Sequence, residues 1–313
     1  MSDLRHLRIS SARPGNSIHV MLCLPEGRPR AVLQMTHGMV EYIGRYEELA
    51  RWLADRGIAS VGHDHLGHGS SVMSKDDYGY FGLPDGNRLL LDDLYGVTRW
   101  AKRRAELAGA PWFLLGHSMG SFYARQYLCE HGDELNGAIL MGAGWQPKAA
   151  VLCGKALCRL LAAVKGWHDR SKLVDSLAFG SYNRSFEPAR TPKDWLNRDE
   201  AEVDRYLAEE RCSFRFTLNG YYSMFTRLAR LCDPTLLDQV PKDLPVLFLS
   251  GDDDPVGDRG RGVNRAAQSL RAAGVRQVEV KLYPGARHEL LVELNRQEVF
   301  ADIGAFIENN LPD

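Results

Sequence analysis

The stretch Trp112–Gly120, WFLLGHSMG, decides the fold. Its first four residues are apolar and predict a short buried strand, and helical spacing follows from Met119 to about His131. The turn between them, GHSMG, matches G-x-S-x-G and occurs once in the chain. Because so sharp a turn crowds the backbone around Ser118, the two glycines have a steric purpose. We expect a strained strand-to-helix turn that presents the Ser118 hydroxyl at one edge of a sheet. A simple glycine-rich turn is the alternative.

On both sides of this stretch, predicted strands alternate with predicted helices. Such alternation produces a mostly parallel sheet, here eight-stranded, with helices on both faces. The first two segments, separated by Pro14-Gly15, favour an antiparallel hairpin. The predicted strands are Leu7–Ser11, Ile18–Leu24, Ala31–Thr36, Ile58–Gly62, Trp112–Leu115, Ala138–Met141, Val246–Ser250 and Val278–Tyr283. The predicted helices are Tyr46–Leu53, Arg88–Leu107, Met119–His131, Val263–Ala273 and Glu298–Asn309.

The alternation breaks after the sixth predicted strand and resumes at the seventh. The intervening segment is helical in pattern, and its portion Val151–Val164 is apolar on nearly all sides. We therefore predict that residues 145–240 form a helical cap, or lid, inserted over the carboxyl edge of the sheet. Residues 1–144 and 241–313 would then form the core. A second domain with no part in the chemistry is the alternative interpretation.

Composition limits the function classes. The 313 residues are 44% hydrophobic and 25% charged, as is typical of a globular protein. Thirty-nine basic residues face 40 acidic ones, and a net charge of −1 argues against a nucleic-acid partner. We find no membrane-spanning run and no apolar segment of a secretory signal. The six cysteines form no CxxC pair, so we expect reduced, mostly buried thiols in a cytoplasmic protein. The oligomeric state is open.

A serine hydroxyl becomes a good nucleophile only when a base lies within hydrogen-bond reach. His288 follows the last predicted strand, and Asp254 follows the strand before it. Because the carboxyl ends of parallel strands share one edge, both side chains can converge on Ser118. The order Ser, Asp, His along the chain is that of the α/β-hydrolase fold. We predict Ser118 as the nucleophile, His288 as its base and Asp254 as the carboxylate behind the base.

His288 and Asp254 also have simpler interpretations that involve no catalysis. His288 can be a solvated loop histidine, and Asp254 can serve only to form the turn before Pro255. Asp252 and Asp253 are rivals for the position of the carboxylate, since all three acidic residues follow the same strand.

An oxyanion hole needs two backbone N–H groups aimed at the developing negative charge. We expect one from Met119, which follows the serine, and the other from Met39 in the loop after the strand Ala31–Thr36. His37 in that loop is expected to brace it rather than to act as a second base.

The segment HDHLGH contains His63, Asp64, His65 and His68, which could be read as a zinc site. The metal pattern H-x-H-x-D-H requires Asp where this chain has Gly67. We favour a loop whose histidine and aspartate side chains form hydrogen bonds with the backbone, and we predict no metal and no organic cofactor.

Several motifs together resemble the monoacylglycerol lipase/lysophospholipase branch of the α/β-hydrolases, also described as serine aminopeptidase, S33, or Hydrolase_4. In that branch the corresponding residues imply Ser118, Asp254 and His288 as the triad and Met39 as an oxyanion donor. Tyr42 departs from the pattern, since relatives commonly have His there. The motifs are His37-Gly38-Met39 with Glu41 and Arg45-Tyr46, then DHLGHGSS from Asp64, GHSMG, GDDDPVG from Gly251, YPGARHE from Tyr283 and DWLNRD from Asp194.

The resemblance implies hydrolysis of a lipid-like acyl monoester through an acyl-enzyme. A carboxylesterase of small or aryl esters, or an amidase or aminopeptidase on the same triad, is the alternative. The intact set of Ser, His and Asp argues against an inactive ligand-binding protein or a scaffold, because neither needs a catalytic triad. Contact between the cap and a membrane is open. The cap residues Leu157, Leu160, Leu161 and Val164 are expected either to line an acyl tunnel or to form the core of the cap.

Overall fold

A single sheet runs through the computed structural model, which describes residues 2–312. All eight predicted strands are present in it. The strands are β1 (Asp3–Ser10), β2 (Ser17–Leu24), β3 (Ala31–Thr36), β4 (Ile58–His63), β5 (Trp112–His117), β6 (Gly137–Met141), β7 (Val246–Gly251) and β8 (Val278–Tyr283). Their order across the sheet is β1-β2-β4-β3-β5-β6-β7-β8.

Strand β2 is antiparallel to both of its neighbours, β1 and β4, as the predicted hairpin requires for the first pair. All pairs from β4 to β8 are parallel. Strands β3 to β7 are buried over their whole length, which explains why their sequences are continuous apolar runs rather than alternating ones. The carboxyl ends of six strands therefore meet at one edge of the sheet.

The first strand begins four residues earlier than predicted. It pairs with β2 from Asp3 opposite Leu24, although its exposed positions carry charged side chains. An edge strand with polar residues on its outer face has no continuous apolar run, so a search for apolar stretches finds only its second half.

Ten helices with α-helical hydrogen bonding lie within the described residues. The second helix ends at Lys102, and only a short 3-10 turn, Ala105–Leu107, occupies the end of the predicted Arg88–Leu107 helix. They are α1 (Glu47–Ala54), α2 (Gly86–Lys102), α3 (Met119–His131), α4 (Lys148–Lys165), α5 (Lys172–Phe179), α6 (Glu200–Ala208), α7 (Leu218–Leu231), α8 (Pro234–Leu237), α9 (Arg261–Ala272) and α10 (Arg296–Asn309).

Two apolar clusters lie on opposite sides of the sheet. Helices α1 and α10 pack on one face, where Leu53 and Phe300 are fully buried. Helices α2, α3 and α9 belong to the other cluster, which continues into α4, α5 and α7. The sequence-based assignment of the α/β-hydrolase fold is confirmed. Helices α4 to α8 all fall between β6 and β7, while the division of the chain into a core and a cap domain stays a prediction.

The six cysteines are all free thiols, and four of them are buried, as the sequence predicts. In the part of the chain that the structure describes, no helix has the length and the apolar character needed to cross a bilayer.

Candidate active site

Ser118 lies at the turn between β5 and α3. Its backbone has φ 52° and ψ −118°, a conformation that residues other than glycine rarely adopt. The neighbouring glycines permit this turn. A Cβ on Gly116 would lie 2.6 Å from the carbonyl oxygen of Gly120, and one on Gly120 would lie 2.2 Å from that of Thr36. The strained turn that GHSMG predicts is therefore present, and both glycines are required by close backbone contacts.

Three side chains from three strand ends form one chain of hydrogen bonds at this edge. The Oγ of Ser118 lies 2.9 Å from Nε2 of His288, and Nδ1 of His288 lies 2.9 Å from Oδ2 of Asp254. The Nδ1–H group donates to the carboxylate, so Nε2 is the acceptor that faces the serine. The other oxygen of Asp254 accepts the N–H of Val256 at 2.8 Å.

The rival carboxylates do not contact the histidine. Asp252 accepts the N–H of Gly285 at 2.6 Å, and Asp253 is half-exposed and 3.8 Å from Arg259. Asp254 is fully buried and His288 is 3% exposed, so neither is a solvated loop residue. Of the three candidates, the structure brings only Asp254 to His288.

The two predicted oxyanion donors flank the serine. Met119 is the first residue of α3, and a Cβ on Gly38, next to Met39, would lie 3.0 Å from the Cβ of Ser118. Among residues 2–312, no acceptor pairs with the N–H of Met39 or of Met119. Neither N–H therefore has a competing acceptor within the part of the chain that the structure describes.

His37 braces the loop that carries Met39, as predicted. Its Nδ1 donates to the carbonyl of Gly38 at 2.8 Å, and its Nε2 accepts the N–H of His65 at 3.1 Å. Burial lowers the pKa of His37, so the ring is neutral and can accept that hydrogen bond.

The histidine-rich loop after β4 also forms hydrogen bonds with the backbone. Asp64 accepts the N–H of Ile43 at 2.7 Å and that of Ser70 at 2.8 Å, and His65 donates to the carbonyl of His37 at 3.2 Å. His63 is an exception to the prediction, since its ring nitrogens have no partner among the described residues. Within residues 2–312, no group of three or more His, Cys, Asp or Glu is arranged to hold a metal ion.

Sequence reasoning missed a buried ion pair behind the serine. Nδ1 of His117 lies 2.8 Å from Oε1 of Glu41, and its Nε2 lies 3.2 Å from the carbonyl oxygen of His288. Both partners can only accept, so His117 carries a proton on each nitrogen. Burial alone would lower the pKa of His117, but the charge of Glu41 outweighs it and raises this pKa. In return, the charge of His117 holds the pKa of Glu41 below its ordinary value against the opposing effect of burial.

A second buried pair extends this network. The guanidinium of Arg45 donates to both carboxylate oxygens of Glu289, at 2.5 and 2.7 Å, and to Glu41 at 3.2 Å. Gly38 N–H also donates to Glu41 at 2.5 Å, which ties the Met39 loop to the network. Two features of the sequence could have indicated this network. Glu41 and Arg45 have the i,i+4 spacing of an ion pair, and Glu289 directly follows His288.

A cavity of about 480 Å³ opens beside Ser118. Its wall is mainly apolar and comes from helices α4, α5 and α7, with Leu157 among the lining residues. Leu161 packs against the core cluster, whereas Leu160 and Val164 are 69% and 87% exposed. The expectation for these last two residues was wrong, because α4 has a face that meets neither the cavity nor a core. Residues that line the wall are Val151, Leu157, Val174, Phe179, Met224 and Leu228.

The parallel sheet, the serine at its strand-to-helix turn and the histidine and aspartate at the neighbouring strand ends define an α/β-hydrolase. A family model described as serine aminopeptidase, S33 (Hydrolase_4) matches residues 27–295, and the chain therefore belongs to this family. The resemblance inferred from the motifs is confirmed.

Relatives across organisms carry lipase and esterase names. Human monoglyceride lipase is 26% identical over 294 residues, covering 90% of this chain and 84% of the relative. Monoacylglycerol lipase of Mycolicibacterium smegmatis is 26% identical over 300 residues, covering 92% and 91%. A thermostable carboxyl esterase from Bacillus coagulans, crystallised with glycerol, superposes with a TM-score of 0.91 at 25% identity over 99% of both chains. The expectation of a carboxylic ester hydrolase is thus confirmed.

Proposed function

We propose that Ser118, His288 and Asp254 form a catalytic triad that hydrolyses long-chain acyl monoesters, with monoacylglycerols as the first candidate. The observation that carries the proposal is the continuous hydrogen-bond chain from Ser118 through His288 to a buried Asp254, beside a largely apolar cavity. The lipase names of the full-length relatives support the same substrate class.

The proposed reaction has two halves. Ser118 attacks the ester carbonyl while His288 takes its proton, and the N–H groups of Met39 and Met119 stabilise the oxyanion. His288 then protonates the departing alcohol, which leaves an acyl group on the serine. Water, activated by the same histidine, releases the acid. Asp254 holds the imidazole in the tautomer that faces the serine, and the reaction needs only these groups and water.

A substrate series tests the proposal. We expect kcat/KM to be higher for oleoyl glycerol than for butyryl glycerol, and higher for both than for the matched oleoyl amide. The reason is that the apolar wall gains contact with each added methylene of the acyl chain. Faster cleavage of short aryl esters would favour a small-ester carboxylesterase, and faster cleavage of the amide would favour an amidase.

A polar end of the cavity favours a second candidate, an acyl monoester whose alcohol carries an acidic group. The Nζ of Lys193 lies 5.8 Å from the Trp195 ring, and that ring lies 5.3 Å from the ring of His288. Burial lowers the pKa of Lys193 against the attraction of Asp175 and Glu289, and no carboxylate of residues 2–312 lies within ion-pair distance of its Nζ. The carboxylates that line the cavity each have a cationic partner, as Asp175 has in Arg215. Lys193 is thus the charge that an anionic leaving group would neutralise.

The two candidates differ in their response to Lys193→Met. For oleoyl glycerol phosphate, we expect this variant to lower kcat/KM by about tenfold, the value of one charge-assisted hydrogen bond, and to leave oleoyl glycerol unchanged. Lys155→Met is the matched control, since Lys155 belongs to α4 and lies over the Tyr222 ring of α7 rather than in the cavity wall. Equal rates for both esters in the wild type and in Lys193→Met would favour the monoacylglycerol.

We also propose that residues 145–240 act as a cap over the core and that this cap contacts an anionic lipid surface. Helices α4 and α5 expose large apolar side chains close to the cavity, where Leu177 is also a lining residue. Arg159, Lys165 and Lys172 are exposed on the same two helices and complement an anionic surface. The exposed side chains are Leu152, Leu160, Val164, Leu173 and Leu177, at 46%, 69%, 87%, 54% and 70%.

Vesicle sedimentation tests this contact. We expect the protein to bind vesicles that contain phosphatidylglycerol more strongly than pure phosphatidylcholine vesicles, and expect Leu160→Ser with Val164→Ser to weaken binding to both. Met73→Ser is the control, because Met73 is 64% exposed but lies outside residues 145–240. Equal binding by the control and the double variant would contradict the assignment of this surface. The cytoplasmic location stays a prediction.

A further inference from the structure

The loop after β3 contains a strained residue directly after Met39. Val40 has a φ of 56°, in the left-handed region that a β-branched side chain rarely adopts. Such a conformation persists only where the surrounding structure holds it. Met39 and Val40 form a turn, so this strained residue adjoins the N–H group that the proposed oxyanion hole would use.

The core holds one polar group of Val40. Its N–H donates to Nε2 of His68 at 3.3 Å, and Nδ1 of His68 donates to the carbonyl of Leu66 at 3.1 Å. This arrangement requires a neutral imidazole, and burial lowers the pKa of His68 to about 3. His68, the last histidine of the HDHLGH segment, therefore accepts a hydrogen bond from the strained loop.

The helical segment above the sheet holds the other polar group. The hydroxyl of Tyr206, on α6, donates to the carbonyl of Val40 at 2.9 Å. Tyr206 is 5% exposed, and the guanidinium of Arg45 lies 5.2 Å from the centre of its ring. Both backbone polar groups of Val40 are thus hydrogen-bonded to side chains, the N–H to His68 and the carbonyl to Tyr206.

We propose that Tyr206 is a positioning residue that holds the oxyanion loop in its active conformation through Val40. The oxyanion hole is then complete only while α6 is seated on the core, so that the position of this helix sets the reaction rate. The inference rests on the proposed role of the Met39 N–H in the oxyanion hole. It gives the helical segment a part in the chemistry, beyond lining the cavity.

Tyr206→Phe tests the proposal, because it removes the hydroxyl and keeps the ring against Arg45. We expect kcat for oleoyl glycerol to fall about tenfold at nearly constant KM. Affinity for a trifluoromethyl ketone, whose serine adduct carries an oxyanion, should weaken by the same factor. Tyr222→Phe is the matched control, since its ring packs on Trp167 and lies outside the cavity wall; it should change neither quantity.

Val40→Gly supplies a rescue that a merely structural role of Tyr206 would not predict. Glycine adopts a positive φ without steric cost, so the loop should need less support. In the Val40→Gly background, the loss of kcat on adding Tyr206→Phe should shrink to about twofold or less. Thermal unfolding of each variant shows whether it is folded. If Tyr206→Phe alone is unstable, the effect of losing the hydroxyl can still be measured by comparing Val40→Gly with the double variant.

Three outcomes would overturn the proposal. They are an unchanged kcat in folded Tyr206→Phe, a lower kcat without weaker ketone binding, and an equal loss in the glycine background. In each case a wild-type enzyme that hydrolyses esters through Ser118 leaves the proposed function intact. A wild type that neither hydrolyses esters nor binds the ketone would instead contradict the proposed function itself.

Discussion

The carboxyl edge of the sheet and the helices above it are built in different ways. At the edge, Ser118, Asp254 and His288 follow strand ends and are fixed by short hydrogen bonds, with tightly packed glycines around the serine. The helices α4, α5 and α7 instead contribute side chains to a cavity wall, and α4 leaves residues such as Leu160 exposed. From this difference we expect the edge to determine the chemistry and the helices to determine the substrate preference. Changes at the edge should alter the rate for every substrate, and changes in the helices should alter which substrate is preferred.

The largest effect should come from Ser118→Ala. We expect kcat to fall about 10⁶-fold for short and long acyl esters alike, because the nucleophile is lost while binding in the cavity is retained. Labelling by a fluorophosphonate should disappear, and the thermal unfolding temperature should stay close to that of the wild type. Residual labelling of the folded variant would show that another residue is the nucleophile.

Asp254→Asn should have the next largest effect, a loss of about 10⁴-fold in kcat. An amide at this position favours the wrong tautomer of His288, so that Nε2 no longer accepts the serine proton. Activity against oleoyl glycerol and butyryl glycerol should fall equally.

Asp253→Asn is the control for this variant, since Asp253 is half-exposed and does not contact His288. It should retain wild-type activity. The opposite pattern, with loss in Asp253→Asn and normal turnover in Asp254→Asn, would mean that the carboxylate was assigned incorrectly.

The edge was more predictable from the sequence than the helices were. GHSMG constrains a turn within five residues, and the burial of β3 to β7 makes each strand visible as an apolar run. Once the strands are placed, parallel topology brings the loops of Asp254 and His288 to Ser118 without further information. Local steric rules and sheet topology thus determine most of this part of the molecule.

The remaining features depend on contacts that no local pattern encodes. His117 occupies a variable position of G-x-S-x-G, so its pairing with Glu41, 76 residues away, had no signal of its own. Tyr206 and Val40 are 166 residues apart. For α4, an apolar sequence on nearly all sides gave no preferred face, and so the exposed Leu160 was not distinguished from the cavity-lining Leu157.

A substitution in the cavity wall should change specificity rather than chemistry. Leu157→Trp fills part of the cavity, and we expect kcat/KM for oleoyl glycerol to fall about 10- to 100-fold while that for butyryl glycerol changes little. Leu160→Trp is the matched control on the same helix, because Leu160 is 69% exposed. Equal losses for both esters in Leu157→Trp would contradict the proposed division between the edge and the helices.

The smallest effect concerns the buried pair of His117 and Glu41 at the edge, and it appears in stability. Because the folded state raises the pKa of His117 above 6.5, its contribution is complete below pH 6.5 and is lost as the pH rises through the raised value. Glu41 has a lowered pKa, so its contribution is present above pH 4.5 and is lost only as the pH falls through the lowered value. The pair should therefore stabilise the protein most between about pH 4.5 and pH 6.5.

Measurements of Tm against pH for the wild type and His117→Asn test this window. The variant should be less stable near pH 5.5, and the difference should narrow by about a few degrees as the pH rises toward 9. His168→Asn, at an exposed histidine far from Glu41 in the sequence, should follow the wild type throughout. Parallel curves for the wild type and His117→Asn would show that His117 gains no proton affinity on folding. His117 would then give Glu41 a hydrogen bond from a neutral imidazole rather than form an ion pair with it, while the buried ion pair of Arg45 and Glu289 would be unaffected.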